Sequence, residues 1–167
     1  MTKIGVRFAL IIAVVATIGC DRVTKHVAVT ALADAPVRSF LGDTLRLEYA
    51  ENPGAFLGLG DHWPREVRIA VFGIGNGLLL VALGVAARRA RWSGPALLGV
   101  ALFIAGGAAN LLDRIAYDVV IDFMNVGIGP VRTGIFNVAD MAIMLGAAMA
   151  VIHGYWPGSR APSQHSG

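Results

Sequence analysis

A chain of 167 residues that is 56% hydrophobic, with a mean hydropathy of +0.65, is too apolar for an ordinary soluble domain. Its formal net charge of +3 is distributed in a way that speaks for membrane topology and against nucleic-acid binding. The single cysteine, Cys20, excludes an internal disulfide and a cysteine-based metal cage, while His26, His62, His153 and His165 show no ligand spacing, so neither metal nor cofactor is expected.

The first apolar run, Phe8 to Cys20, has 13 residues and is too short to cross a bilayer alone. It reaches spanning length by continuing through Asp21, Arg22 and Lys25 to about Thr30, which predicts a helix over 8–30. Asp21, Thr24 and Lys25 fall at i, i+3 and i+4 on one face of its far end. They read as a helix-end ion pair with a snorkelling lysine, and equally as a bracket for a polar site between helices. Lys3 and Arg7, an apolar run, then Thr17-Ile18-Gly19-Cys20 imitate a lipoprotein signal peptide ending at Cys20. Thr17 stands where such a box usually has Leu, and three more spans follow, so Cys20 is read as a small core residue of the helix.

In loop 31–66, Leu45, Leu47 and Tyr49 alternate with Arg46, Glu48 and Ala50, the pattern of a half-buried strand. The strand runs into Asn52-Pro53-Gly54-Ala55-Phe56, a turn signature. Phe56 to Leu59, then Asp61, Trp63 and Arg65, predict a segment lying along a membrane surface. Ile69 to Ala87 is uncharged over 19 residues and predicts a second helix, 67–87. Its Gly73, Gly75, Gly77 and Gly84 would allow close packing in lipid, and Asn76 a hydrogen bond to another helix. Pro95 to Leu112, uncharged over 18 residues, predicts a third helix, 95–112, with Gly106, Gly107, Ala108 and Ala109 as a flat packing face. Asn110, Asp113 and Arg114 sit within about one turn of each other at its end, where polar residues at membrane depth are functional candidates.

The densest chemistry follows, in the outer loop 113–136 and the start of the last helix. Val119 to Val126 reads as a strand, Gly127 to Pro130 as a turn and Val131 to Phe136 as a return strand. This fold-back brings Asp122 opposite Ile135 to Asn137. Asn137 is a good helix N-cap, which puts Asp140 at the third position of a fourth helix, 137–156. The two carboxylates can therefore converge in apolar surroundings that would expel an unpaired charge. Two acids sharing a small, partly dry space hold one proton between them, the arrangement an aspartic protease uses on water. Tyr155 and Trp156 suit a membrane interface, and Pro157 to Gly167 reads as a polar tail.

Lys3, Arg7, Arg88, Arg89, Arg91 and Arg160 give one face six basic residues and no acidic one; the rest of the chain has eight basic against eleven acidic. The positive-inside rule then puts both termini and the 88–94 loop in the cytoplasm, with loops 31–66 and 113–136 on the other side. The expected fold is mainly α: one integral membrane domain, 1–167, of four transmembrane helices with a small extracytoplasmic β-sheet cradle built from the two outer loops.

With these stretches laid out, the chain resembles the lipoprotein signal peptidase family (signal peptidase II), aspartyl proteases of the bacterial inner membrane. Asp21-x-x-Thr24-Lys25 is similar to the family's first motif, and Asn52-x-Gly54-Ala55 to its second. Gly106-Gly107 through Asn110-x-x-Asp113-Arg114 resembles the third. Val120-Ile121-Asp122-Phe123 and Phe136-Asn137-x-Ala139-Asp140 are similar to the fourth and fifth, which carry the catalytic pair. Five weak motifs in order across nearly the whole chain make a strong signal. Ala109, Pro53 and Phe56 depart from the usual pattern and bear on substrate fit.

The resemblance implies that Asp122 and Asp140 are catalytic, and that Asp21, Lys25, Asn52, Gly54, Asn110, Asp113, Arg114, Asn137 and Ala139 support the site or bind substrate. It also implies a prolipoprotein substrate with a diacylglyceryl-bearing cysteine, cleaved just before that cysteine, at a site near the outer face of the inner membrane. Membrane lipids and lipidated prolipoproteins are the expected partners of a monomer. The alternative is a small membrane transporter component with Asp122 and Asp140 as a carboxylate proton relay. Against it, the acids cluster at one membrane edge and the two halves show no repeat. In a purely structural membrane protein the same polar residues would only pack loops.

Overall fold

The computed structural model describes residues 3–55, 58–89, 92 and 94–155. Expectations placed on Phe56, Arg91, Trp156, Arg160 and the tail from Pro157 to Gly167 lie outside these residues, as do the side chains of Lys3 and Tyr155.

Helix α1, Lys3–Leu32, is one unbroken run of 30 residues, about 45 Å long at 1.5 Å per residue. Thr17 and Thr24 would otherwise interrupt an apolar helix. Their hydroxyls fold back onto the carbonyls of Ala13 (2.8 Å) and Cys20 (2.7 Å), so neither leaves an unmet donor. Cys20 is exposed, which corrects its reading as a core residue: the buried face of this turn belongs to Asp21 instead.

Helix α2 runs over Arg65–Arg89, with a π-helical stretch at Ile69–Gly75. Helix α3 is Gly94–Tyr117 and α4 is Val138–Tyr155. Among the described residues α2 and α3 are long and apolar enough to cross a membrane, and the apolar stretch Val138–Gly154 is shorter. Helix α3 extends five residues past its expected end at Leu112. Asp113 and Arg114 find partners inside the fold, so the charges do not stop it; Asp118, at φ +62°, ends it.

The α3–α4 contact is the tightest in the molecule. A methyl group added at Gly106 would lie 2.4 Å from the Ala139 carbonyl oxygen, and one at Gly99 would lie 2.7 Å from that of Gly146. The small-residue face of α3 therefore lets α4 approach almost backbone to backbone. On α2 the outcome differs from expectation. Cβ atoms built at Gly73, Gly75, Gly77 and Gly84 meet nothing closer than 3.5 Å, and in Asn76–Arg89 only Leu80 is buried. Gly73 and Gly75 border cavities, and Gly77 and Gly84 make only ordinary contact with Leu111 and Ile104. Asn76 does reach across, its amide donating to the Gly107 carbonyl at 3.4 Å.

Four strands form one antiparallel sheet in the order β1-β2-β3-β4: β1 Arg38–Phe40, β2 Leu45–Asn52, β3 Val120–Ile128 and β4 Val131–Arg132. Three residues of β1 were too few to leave an alternating pattern. The hairpin turn is narrower than expected, because Gly127 and Ile128 stay in the ladder opposite Arg132 and Val131. Gly129, at φ +55°, takes the bend. The return strand is shorter, ending at Arg132; beyond it the chain still bonds to β3 at Thr133, whose N–H donates to the Val126 carbonyl at 2.7 Å, and at the bridge from Phe136 to Met124. The sheet rests on the end of α1, where Phe123 packs on Ala28 and Leu32, with Leu47, Tyr49, Met124 and Val138 around them.

Candidate active site

Asp122 is brought to the site by sheet register. In the β2–β3 ladder Ala50 stands opposite Asp122 and Asn52 opposite Val120, so Asn52 lies on the same face, two residues along. The Asn52 amide donates to Asp122 Oδ2 at 3.0 Å. The turn after β2 fixes Asn52, whose Oδ1 accepts from the Gly54 N–H at 3.0 Å while its amide also reaches the Ala55 carbonyl at 3.1 Å. Gly54 is confined: a Cβ there would sit 2.6 Å from the Leu59 carbonyl oxygen.

Asp140 is brought in by helix capping. Asn137 Oδ1 accepts from the Asp140 N–H at 2.9 Å, and Asp140 Oδ2 accepts from the Asn137 N–H at 3.2 Å. This reciprocal box satisfies two donors at the start of α4 and locks the carboxylate's direction. The Asn137 side chain, fully buried, donates to Asp122 Oδ1 at 2.6 Å. One residue thus holds both acids, Asp140 through its backbone and Asp122 through its side chain. Asn110 completes the ring, its amide donating to Asp140 Oδ1 at 2.8 Å and its Oδ1 accepting from Asn137 Nδ2 at 3.2 Å.

Both carboxylates line a cavity of about 20 Å³, walled also by Asn52, Asn110, Arg114 and Ile135. That is room for about one water molecule. On one side a cleft of about 370 Å³ between α2, α3 and α4 reaches Asp140, lined mostly by apolar groups such as Leu79, Phe103 and Ile143. On the other, a groove of about 260 Å³ over Pro53, Gly134 and Ile135 reaches Asp122. Burial pushes the Asp122 carboxyl up to about 6; the neighbouring Asp140 carboxylate adds to this, while the amides of Asn52 and Asn137 and the charge of Lys25 oppose it.

Behind the ring lies a buried ion cluster. Lys25 Nζ sits 2.8 Å from Asp21 Oδ2 and 2.7 Å from Asp113 Oδ2, and donates to Asn110 Oδ1 at 2.9 Å. The ammonium thus lies against two carboxylates and one amide oxygen. Asp21 turns its other oxygen to the Ala139 N–H at 2.9 Å, tying α1 to the first turn of α4. Asp113 also pairs with Arg22.

All the site residues named from the sequence lie in this assembly, but the neighbours Asp113 and Arg114 part company. Asp113 turns to α1, whereas Arg114 donates to the Gly54 carbonyl at 2.6 Å and lies 5.8 Å from the centre of the Phe72 ring. Sequence reasoning gave no site role to Arg22 or Phe72, and it placed Ile135 opposite Asp122 without a role. Of the first two, Arg22 left a signal, being a further charge inside an apolar helix.

The family model described as Signal peptidase (SPase) II matches residues 12–156. The lipoprotein signal peptidase of Chlorobium phaeobacteroides is 34% identical over 140 residues, covering 79% of this chain and 81% of that one. The lipoprotein signal peptidase of Psychromonas ingrahamii is 31% identical over 160 residues, covering 92% and 87%. The fold matches a solved bacterial membrane enzyme with a TM-score of 0.74 at 24% identity, over 86% of this chain and 85% of that one. With a family match spanning helices, sheet and both acids, the chain belongs to the signal peptidase II family.

Proposed function

We propose that this chain is a membrane-embedded aspartic endopeptidase that removes signal peptides from diacylglyceryl-modified prolipoproteins, cutting just before the lipidated cysteine. The observation that carries the aspartic mechanism is the one-water cavity with Asp122 and Asp140 on its walls and an amide on each carboxylate oxygen's flank. One carboxylate takes a proton from the water as its oxygen attacks the scissile carbonyl carbon. The other, protonated, donates to the carbonyl oxygen and helps return a proton to the leaving amine. Asn52, Asn110 and Asn137 hold the pair in place, and Arg114 stands beside it as a fixed cation. The lipid enters through the apolar cleft that reaches Asp140 and the peptide lies in the groove that reaches Asp122. The family's prolipoprotein substrates give the transporter reading no support.

The same proposal includes four spans formed by the helices of a single-domain monomer, with both termini cytoplasmic and the sheet and site at the outer face of the inner membrane. Its support is the charge asymmetry of the sequence and the polar ends of α1 and α3 gathered beneath the sheet.

The test is cleavage of a lipidated prolipoprotein by the purified chain in detergent. Asp122→Asn and Asp140→Asn should each lower turnover by roughly 10²–10⁴-fold, the range of a general acid or base. The double variant should cost little more, because groups that act as one unit are non-additive. Asp34→Asn, an exposed loop carboxylate, should remain active, and a chelator should change nothing. Wild-type rates in both single variants would overturn the assignment.

A further inference from the structure

A further cavity, of about 210 Å³, lies at the start of α2 and is bordered by Arg114 and Ile115 of α3; the mechanism above makes no use of it. Three arginines line it, Arg65, Arg68 and Arg114, against one carboxylate, Asp118. Arg65 clamps Asp118 through two N–H groups at 2.5 and 3.1 Å, bridging the start of α2 to the end of α3. Arg68 gives one guanidinium N–H to the Asp61 carbonyl at 3.1 Å, its one side-chain hydrogen bond among the described residues. The Nε of Arg114 is buried and has no hydrogen-bond partner among the described residues. An excess of guanidinium donors over acceptors around a half-open cavity is what an oxyanion would complete.

The remainder of the lining is apolar. Ile69, Phe72 and Gly73 come from the π-helical stretch of α2, and Ile115 from α3. A π segment is rare and frequently marks a functional position. Further along α2, Ile74, Leu78 and Val81 are exposed apolar side chains, each more than 60% open among the described residues. At 1.5 Å per residue the 25 residues of α2 measure about 37 Å, so a spanning α2 puts Arg65 and Arg68 at headgroup depth. Charge above and hydrocarbon below on one helix fit an amphiphile better than an acidic peptide.

We propose that this cavity binds the phosphate of a phospholipid headgroup, with the acyl chains lying along the exposed face of α2. The phosphate sits between Arg68 and Arg114, beside the Arg65–Asp118 clamp. The inference rests on α2 spanning the membrane and not on the assignment of the catalytic pair.

The experiment uses the whole chain, stripped of lipid in a nonionic detergent and titrated with a short-chain phosphatidylglycerol. Bound lipid is read by native mass spectrometry and by the shift in melting temperature. Parallel titrations use a diacylglycerol of the same chain length, and inorganic phosphate. Phosphatidylglycerol should bind and stabilise, diacylglycerol should not, and millimolar phosphate should give a much smaller shift. Arg68→Gln should weaken lipid binding by roughly tenfold or more, as loss of a charge-assisted hydrogen bond does. Arg68→Lys should restore part of it, and Arg46→Gln on the sheet should change nothing. Equal lipid binding by wild type and by Arg68→Gln would overturn the proposal, as would phosphate alone stabilising as well as the lipid. So would Arg68→Gln raising KM only for substrates with acidic residues near the cut, which would make the cavity a peptide subsite. Catalytic failure of Asp122→Asn leaves this readout untouched, so the two proposals fail separately.

Discussion

At the scale of single residues, burial and pairing set the terms. Lys25 is 2% exposed and stands between two fully buried carboxylates. Replacing it by Met would leave buried Asp21 without its cation and Asp113 with Arg22 alone, and breaking a buried pair costs about 3–5 kcal/mol. Lys25→Met should therefore melt far below wild type in a thermal denaturation followed by circular dichroism. Asp122 makes a pH-dependent contribution. Its folded value of about 6 lies above the ordinary 3.8, so the folded chain holds a proton that the unfolded chain releases between those values. That stabilisation is complete below about pH 4 and is lost as pH rises through 6, amounting to roughly 3 kcal/mol at 1.36 kcal/mol per unit. Asp122→Asn has no such proton. The melting temperature of the variant should gain on that of wild type between pH 4 and 7, and parallel curves would contradict the shift.

At the scale of elements, the site depends on how closely α4 approaches α3. Gly106 abuts the Ala139 carbonyl, one residue from Asp140, and backbone at that contact cannot rotate away. Gly106→Ala should cost about 1–3 kcal/mol as an overpacked contact does, and lower turnover by displacing the start of α4. Gly84→Ala, where the new Cβ meets Ile104 at 3.9 Å, should be tolerated and gain helix propensity. Melting and cleavage of the two variants side by side check both statements. The elements were readable in proportion to their periodicity. Long uncharged runs located α2, α3 and α4, and the Asn137 cap located Asp140. The fold-back from Asp122 to Asn137 was legible because turn residues mark it. The extent of β4 was not, since Thr133 replaces a ladder partner, its hydroxyl accepting from the Val126 N–H at 3.0 Å. Nor could the sequence tell that a Cβ would find room at the α2 glycines but meet backbone at Gly99 and Gly106 of α3. Composition is the same in both; only the neighbour differs.

At the scale of the whole molecule, charge asymmetry makes a topological prediction. With six basic residues and no acidic one on one face, Asp61 and Trp92 should lie on opposite sides of the membrane. Single cysteines at these positions, in a Cys20→Ala background, would be exposed to an impermeant thiol reagent in intact spheroplasts. Position 61 should be labelled and position 92 should not; the reverse would invert the arrangement.

The smallness of the chamber between the carboxylates has a further consequence. A space of about 20 Å³ admits water and little else. On the proposed mechanism the attacking oxygen sits in this space, so a bulkier alcohol or amine has no room to replace it, and transfer of the cleaved carbonyl to solutes other than water should be negligible.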